Sequence, residues 1–166
     1  MRSYGFSTAG PMDIQAMRLA NLIVGNDENA AVIEMSLIGP TIQFDCDALI
    51  AVTGADMSVN VEKENLDRYR PIFIKKGDTV QLRPSRKGAY GYIAVRGGIQ
   101  TPKILGSRST VMRADIESIT GRPLRNGDQI PLKELDLSLH DCNWYIPDFI
   151  NEYIGSQFQV VRYIRG

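Results

Sequence analysis

Ala48-Leu49-Ile50-Ala51-Val52-Thr53-Gly54-Ala55-Asp56 is the stretch on which the fold turns. From Ala48 to Thr53 the run is short and apolar, and it stops at a glycine, which reads as a strand closed by a turn. The pattern repeats on either side at Val32–Leu37, Thr41–Phe44, Ser58–Val61, Arg70–Ile74, Thr79–Arg83 and Tyr90–Val95. Fifteen Gly and eight Pro punctuate the chain, so the runs are separated by turns throughout. Ile38-Gly39-Pro40, Lys76-Gly77-Asp78 and Asn126-Gly127-Asp128 are the clearest turn signals. Gly77-Asp78-Thr79-Val80-Gln81-Leu82 and Gly127-Asp128-Gln129-Ile130-Pro131-Leu132 share one phrase, which predicts two similar turn-to-strand units. The class is therefore mainly β, with antiparallel strands from about 32 to 132 around one barrel core.

One helix is expected over residues 13–24. Asp13 can cap it, because its carboxylate accepts the orphan amide hydrogens of the first turn. Gly25 can end it. Gln15, Arg18 and Asn21 form a narrow polar stripe and the other positions are apolar, which predicts a largely buried helix, a candidate plug for one end of the barrel. Short helical pieces such as Asp115–Thr120 and a closing strand over Gln157–Tyr163 complete the reading.

Composition narrows the function. Nineteen Lys and Arg balance nineteen Asp and Glu, so the formal charge is zero. That argues against a nucleic-acid binder and against a polybasic membrane surface. No run of about 18 apolar residues marks a membrane span, and the start lacks a signal-peptide core. Cys46 and Cys142 are far apart and His140 is the single histidine, so a zinc site or a serine triad is not indicated. Two unpaired cysteines fit a reducing, cytoplasmic location. Neither a Walker A sequence nor Gly-x-Gly-x-x-Gly occurs.

Five glycine-containing clusters can carry chemistry, of which Gly121-Arg122-Pro123-Leu124 is the weakest. In Ser7-Thr8-Ala9-Gly10-Pro11-Met12-Asp13, free amides at a helix start suit an anion, or the loop is simply a cap. In Thr53-Gly54-Ala55-Asp56-Met57, Asp56 can position a substrate amide or a lysine, or close an Asx-turn. In Val95-Arg96-Gly97-Gly98-Ile99, Arg96 can take a carboxylate with paired donors, or the pair of glycines is only a tight turn. In Leu105-Gly106-Ser107-Arg108-Ser109-Thr110, hydroxyls flank an arginine as in an anion cradle, and as in many surface loops. The expectation is that these four loops gather on one rim of the barrel. Asp13, Asp56, Arg96 and Arg108 are then the candidate catalytic residues. Gly10, Met12, Gly54, Gly97, Gly98, Ser107, Ser109 and Thr110 are the candidate substrate-binding residues. No metal ligands are expected.

Singly these clusters are unspecific, but their order is not. Ala9-Gly10-Pro11-Met12-Asp13, Leu19–Asn26, Ile33-Glu34, Gly39-Pro40-Thr41, Thr53–Asp56, Arg96–Ile99 and Gly106–Thr110 follow one another in a succession that resembles the KipA-type family, also called the 5-oxoprolinase C-subunit family. Allophanate hydrolase subunit 2 and the matching half of the urea carboxylase carboxyltransferase domain belong to the same family. The resemblance runs from Tyr4 to about Asp128. Family members are about twice as long and start further upstream, and only Arg2 remains of a Gln-Asp-x-Gly-Arg segment. Residues 1–155 therefore look like the first barrel half, and 156–166 like the start of a second half or a closing strand. Pro11 stands where many members have Ala.

The resemblance implies a cyclophilin-like β-barrel. It also implies partnership with a KipI-type B-subunit and a 5-oxoprolinase A-subunit in ATP-dependent hydrolysis of 5-oxoproline to glutamate. It equally implies a carboxyltransferase role with carboxybiotin and urea, or a regulatory role against a KipI-type kinase inhibitor. ATP would be used by the complex, with no cofactor bound by this chain alone. A chain of this extent is expected to lack activity by itself.

Overall fold

The computed structural model describes residues 10–103, 106–110, 122–133, 144–147 and 150. Among the described residues one helix, α1 (Ile14–Ile23), is followed by eight strands: β1 (Ile33–Ser36), β2 (Thr41–Gln43), β3 (Ala48–Gly54), β4 (Val59–Val61), β5 (Glu64–Leu66), β6 (Ile72–Ile74), β7 (Thr79–Leu82) and β8 (Tyr90–Val95). They form two antiparallel four-stranded sheets, ordered β1-β8-β3-β6 and β2-β7-β4-β5. The sheets face each other across one barrel core built from inward residues such as Ile50, Val52, Val59, Ile74, Val80 and Ile93.

β3 decides the architecture because all seven of its residues are buried. Side chains alternate between the two faces of a strand. Ile50 and Val52 enter the barrel core. Leu49 and Ala51 point the other way, into a second core with Ala16, Met17, Ala20 and Ile23 of α1 and with Tyr92 and Ala94 of β8. The helix therefore lies across the outer face of the first sheet. It does not plug a barrel end.

Asp13 caps α1 as expected, its Oδ1 accepting from the Ala16 amide at 2.9 Å. Gly25, at φ +73, takes the left-handed position after the C-cap residue Val24. Burial departs from the sequence reading. Ile14 and Leu22 are more than half exposed, while Asn21 is fully buried, so only one face of the helix is covered. Asn21 escapes the usual cost because its Nδ2 donates to the Ala30 carbonyl at 2.9 Å and its Oδ1 accepts from Asn26 Nδ2 at 3.1 Å. Thr53, also fully buried, donates from Oγ1 to the Ala16 carbonyl at 2.7 Å and ties α1 to β3.

Seven of the eight strands fall where the sequence places them. β5 does not announce itself, because Glu64-Asn65-Leu66 is polar. Its hairpin with β4 turns through Glu62 and Lys63 at φ +46 and +77, a conformation usually marked by Asn-Gly. The two echoed phrases also diverge. Gly77-Asp78 leads into β7, whereas Gly127-Asp128 leads only to a single bridge between Leu132 and Ile99. The helical piece expected at 115–120 and the strand expected at 157–163 lie outside the described residues.

Gly54 combines φ +79 with a backbone so close to Tyr90 that an added Cβ would meet the Tyr90 carbonyl oxygen. Gly25 has a comparable φ of +73 but open space around it. Both alanine substitutions should show conformational strain, on the order of 1–3 kcal/mol. Gly54→Ala should lower the melting temperature clearly more than Gly25→Ala, because it adds a collision with backbone. Equal shifts in thermal unfolding would refute the close approach.

Candidate functional site

The candidate site lies where β3 ends and α1 begins. β3 runs from Ala48 to Gly54 antiparallel to β8, with Thr53 opposite Tyr92 and Gly54 opposite Gly91. Tyr92 is fully buried, and its hydroxyl stands at a junction. It accepts from the Asp13 amide at 2.7 Å and donates to Glu34 Oε2 at 2.7 Å. The same Glu34 oxygen accepts from the Met12 amide at 2.8 Å. Thus Glu34 on β1 and Tyr92 on β8 fix the segment that enters the helix. Burial, and then the Glu34 carboxylate, push the Tyr92 phenol well above its ordinary range against the opposing hydrogen bond from the Asp13 amide, so it stays protonated as a donor.

A second buried tyrosine fixes the other loop at this end. Tyr69 Oη accepts from the Gly54 amide at 2.8 Å and donates to the Gly54 carbonyl at 3.2 Å. Burial raises its phenol as well. Arg68 then braces the strand end, one terminal nitrogen donating to the Gly54 and Ala55 carbonyls at 2.8 and 2.9 Å. Its other terminal nitrogen pairs with Asp56 Oδ1 at 3.2 Å. The Asp56 backbone is held too, its amide by the Lys87 carbonyl and its carbonyl by the Arg86 amide.

A groove of about 690 Å³ opens beside Asp56, with Arg68, Arg70, Arg86, Asn65 and Tyr145 among its lining. Its volume falls within the range of small-ligand pockets, of about 300–1,000 Å³. Among the described residues no three His, Cys, Asp or Glu side chains gather as metal ligands. No described helix is long and apolar enough to cross a membrane.

The register divides the cluster expected from the sequence. Asp13, Met12, Gly54 and Asp56 share one end of the first sheet. Arg96 leaves at the opposite end, its amide bonded to the Leu49 carbonyl. Leu49 and Gly54 are roughly 17 Å apart along the strand, at about 3.4 Å per residue. The Gly97 amide donates to Asn26 Oδ1 at 2.8 Å, and the Gly98 amide closes a turn on the Val95 carbonyl at 2.9 Å. Arg108 bonds the Thr101 carbonyl at 2.8 Å, just beyond that turn, and Ser107 Oγ accepts from the Ser109 amide at 3.0 Å. Gly10 and Thr110 are exposed. A single rim uniting Arg96 and Arg108 with Asp13 and Asp56 is therefore not what the described residues form. Sequence reasoning gave no site role to Glu34, quoted only within the motif Ile33-Glu34, or to Tyr69, Tyr92, Arg68, Arg70 and Arg86, since none of them sits in a glycine cluster.

Among the described residues, two antiparallel sheets with one helix on the outer face and a braced polar groove at one sheet end define an antiparallel β-barrel domain. The description "Carboxyltransferase domain, subdomain A and B" fits residues 4–163, and the chain belongs to that family. It is 39% identical to urea amidolyase of Saccharomyces cerevisiae over 124 residues, covering 75% of this chain and 7% of that protein. It is 36% identical to the 5-oxoprolinase C-subunit of Escherichia coli over 131 residues, 79% of this chain and 42% of that one. Among solved structures, urea carboxylase of Kluyveromyces lactis superposes with a TM-score of 0.74 at 36% identity, covering 79% of this chain and 12% of that one. The chain thus spans less than half the length of these relatives, which are enzymes or enzyme subunits.

Tyr92→Phe isolates the buried phenol. Losing the hydroxyl leaves the Asp13 amide without that partner, a cost of about 1–3 kcal/mol. The pH dependence has a definite sign. With its folded pKa raised, Tyr92 contributes stability that is fully present below the unfolded phenol's pKa of about 10 and falls away as pH climbs beyond it. Denaturant titrations from pH 8 to 11 should show a shallower decline for the variant. Parallel declines would refute the assignment.

Proposed function

We propose that this chain is part of the C-subunit of an ATP-dependent 5-oxoprolinase, working with a KipI-type B-subunit and an A-subunit in the cytoplasm. The observation that supports the reading is the braced end of β3. There Asp56, locked to Arg68, faces a polar groove lined by the segments 56–58 and 65–70 together with Arg86 and Tyr145. Opening a cyclic amide needs oriented donors for the carbonyl and a placed carboxylate for a water or amide proton. In this reading Asp56, on the groove wall, is the acid–base candidate, while Asp13, Gly10, Met12 and Gly54 lie outside the groove's lining and hold the neighbouring backbone. Arg96, Gly97, Gly98, Ser107, Arg108, Ser109 and Thr110 belong to a separate surface. ATP would be handled by the assembly, since no nucleotide motif is recognisable in this chain.

A second reading, carboxyl transfer from carboxybiotin to urea, draws on the 39% identity to yeast urea amidolyase. The same donors would orient a urea nitrogen there. Co-expression with the neighbouring subunits and an ATP-dependent 5-oxoproline assay separates the two. Turnover is expected in the assembly and not with the 166-residue chain alone. Asp56→Asn should lower that turnover at least about tenfold while the fold survives. Turnover by the isolated chain, or urea carboxylation with no 5-oxoproline hydrolysis, would overturn the proposal.

A further inference from the structure

The groove beside Asp56 holds three guanidinium groups in unequal states. Arg68 is consumed, spanning two carbonyls and the Asp56 carboxylate as described above. Arg70 has only a loose pairing with Asp67, at 3.8 Å, and that carboxylate is 85% exposed. An ion pair so open to water contributes little and does not hold the arginine. Arg86 donates from one terminal nitrogen to Ser58 Oγ at 2.6 Å, a neutral partner. The lining therefore offers three cations against the carboxylates of Asp56 and Asp67. Once Arg68 is matched with Asp56 and Arg70 with Asp67, the Arg86 charge is the surplus.

Position strengthens the point. The Arg86 amide bonds the Asp56 carbonyl, so the surplus cation is mounted directly on the braced strand end. Asn65, Tyr145 and Ser58 add uncharged polar groups around the same space. Arg86 is exposed to solvent, and its guanidinium presents parallel donors that match a carboxylate in charge-assisted pairs stronger than neutral hydrogen bonds. The two carboxylates in the wall disfavour a dianion, because each adds like-charge repulsion.

We propose that this groove binds a small monoanionic carboxylate, held by Arg86 with Arg70 closing from the side. That 5-oxoproline is the carboxylate rests on the function proposed above; the anion site itself does not. The test is calorimetric titration of the full 166-residue chain with 5-oxoproline, acetate, inorganic phosphate and 2-pyrrolidinone, the lactam without the carboxylate. 5-Oxoproline should bind and 2-pyrrolidinone should not. Arg86→Gln and Arg70→Gln should each weaken binding about tenfold or more, with unchanged circular dichroism. Should Arg86→Gln fail to fold, Arg86→Lys keeps the charge but loses the paired donors, and an intermediate loss is expected. Acetate binding that depends on both arginines, with no 5-oxoproline binding, would leave the anion site standing and sink the 5-oxoprolinase reading. Carboxylate binding unchanged in both variants, no binding of either carboxylate, equal binding of 2-pyrrolidinone, or tighter binding of phosphate would overturn the site.

Discussion

Everything in this domain is arranged around a strand with no exposed face. β3 is buried along its whole length, with the barrel core on one side and α1 on the other. A strand covered on both sides cannot slip by one residue without driving Leu49 and Ala51 into the barrel and Ile50 and Val52 under the helix. Its pairing with β8 is therefore fixed, and with it the level of Tyr92, the entry of α1 and the position of Gly54. The polar groove inherits its rigidity from that apolar constraint.

The braces at the two sheet ends are made in different ways. At the Gly54 end two buried phenols and one guanidinium hold loop backbone that no ladder would satisfy. At the Arg96 end a pair of asparagines does the same. Asn26 donates to the Val95 carbonyl and accepts from the Gly97 amide, and it is itself held by Asn21. Buried polar groups of this kind cost little only when each donor and acceptor is matched. Glycines at φ +79, +84 and +75 supply the backbone shapes that allow the matching.

How far the sequence could be read follows from which interactions are local. Strands such as Tyr90–Val95 and the cap at Asp13 are legible because apolar runs, turn residues and capping chemistry act over a few positions. The burial of Asn21 is not legible, because its partners are carbonyls brought in by the loop after the helix. The glycine motifs correctly mark turns, but a turn does not reveal which end of a sheet it occupies. That depends on strand direction, and here the direction of β8 puts Gly91 with Gly54 and Arg96 with Leu49. Asp56 was visible as a polar residue after a strand. Arg68, Arg70 and Arg86 were not, since a surface arginine and a groove arginine look alike in one dimension. The order of motifs was enough to indicate the family, because order survives where individual motifs are ambiguous.

The polarity that concealed β5 has a consequence for the molecule in a crowded cell. β5 is an edge of the second sheet, and an unpaired edge offers its amides and carbonyls to the strand of any passing chain. Glu62, Lys63 and Glu64 are all exposed there. A stranger adding itself to that edge would have to bring its own side chains alongside the exposed Glu64, next to Glu62 and Lys63 in the turn before it. The composition that makes Glu64–Leu66 a poor strand on propensity makes it a safe border, one that resists self-association and polymer growth while the hairpin to β4 keeps it folded.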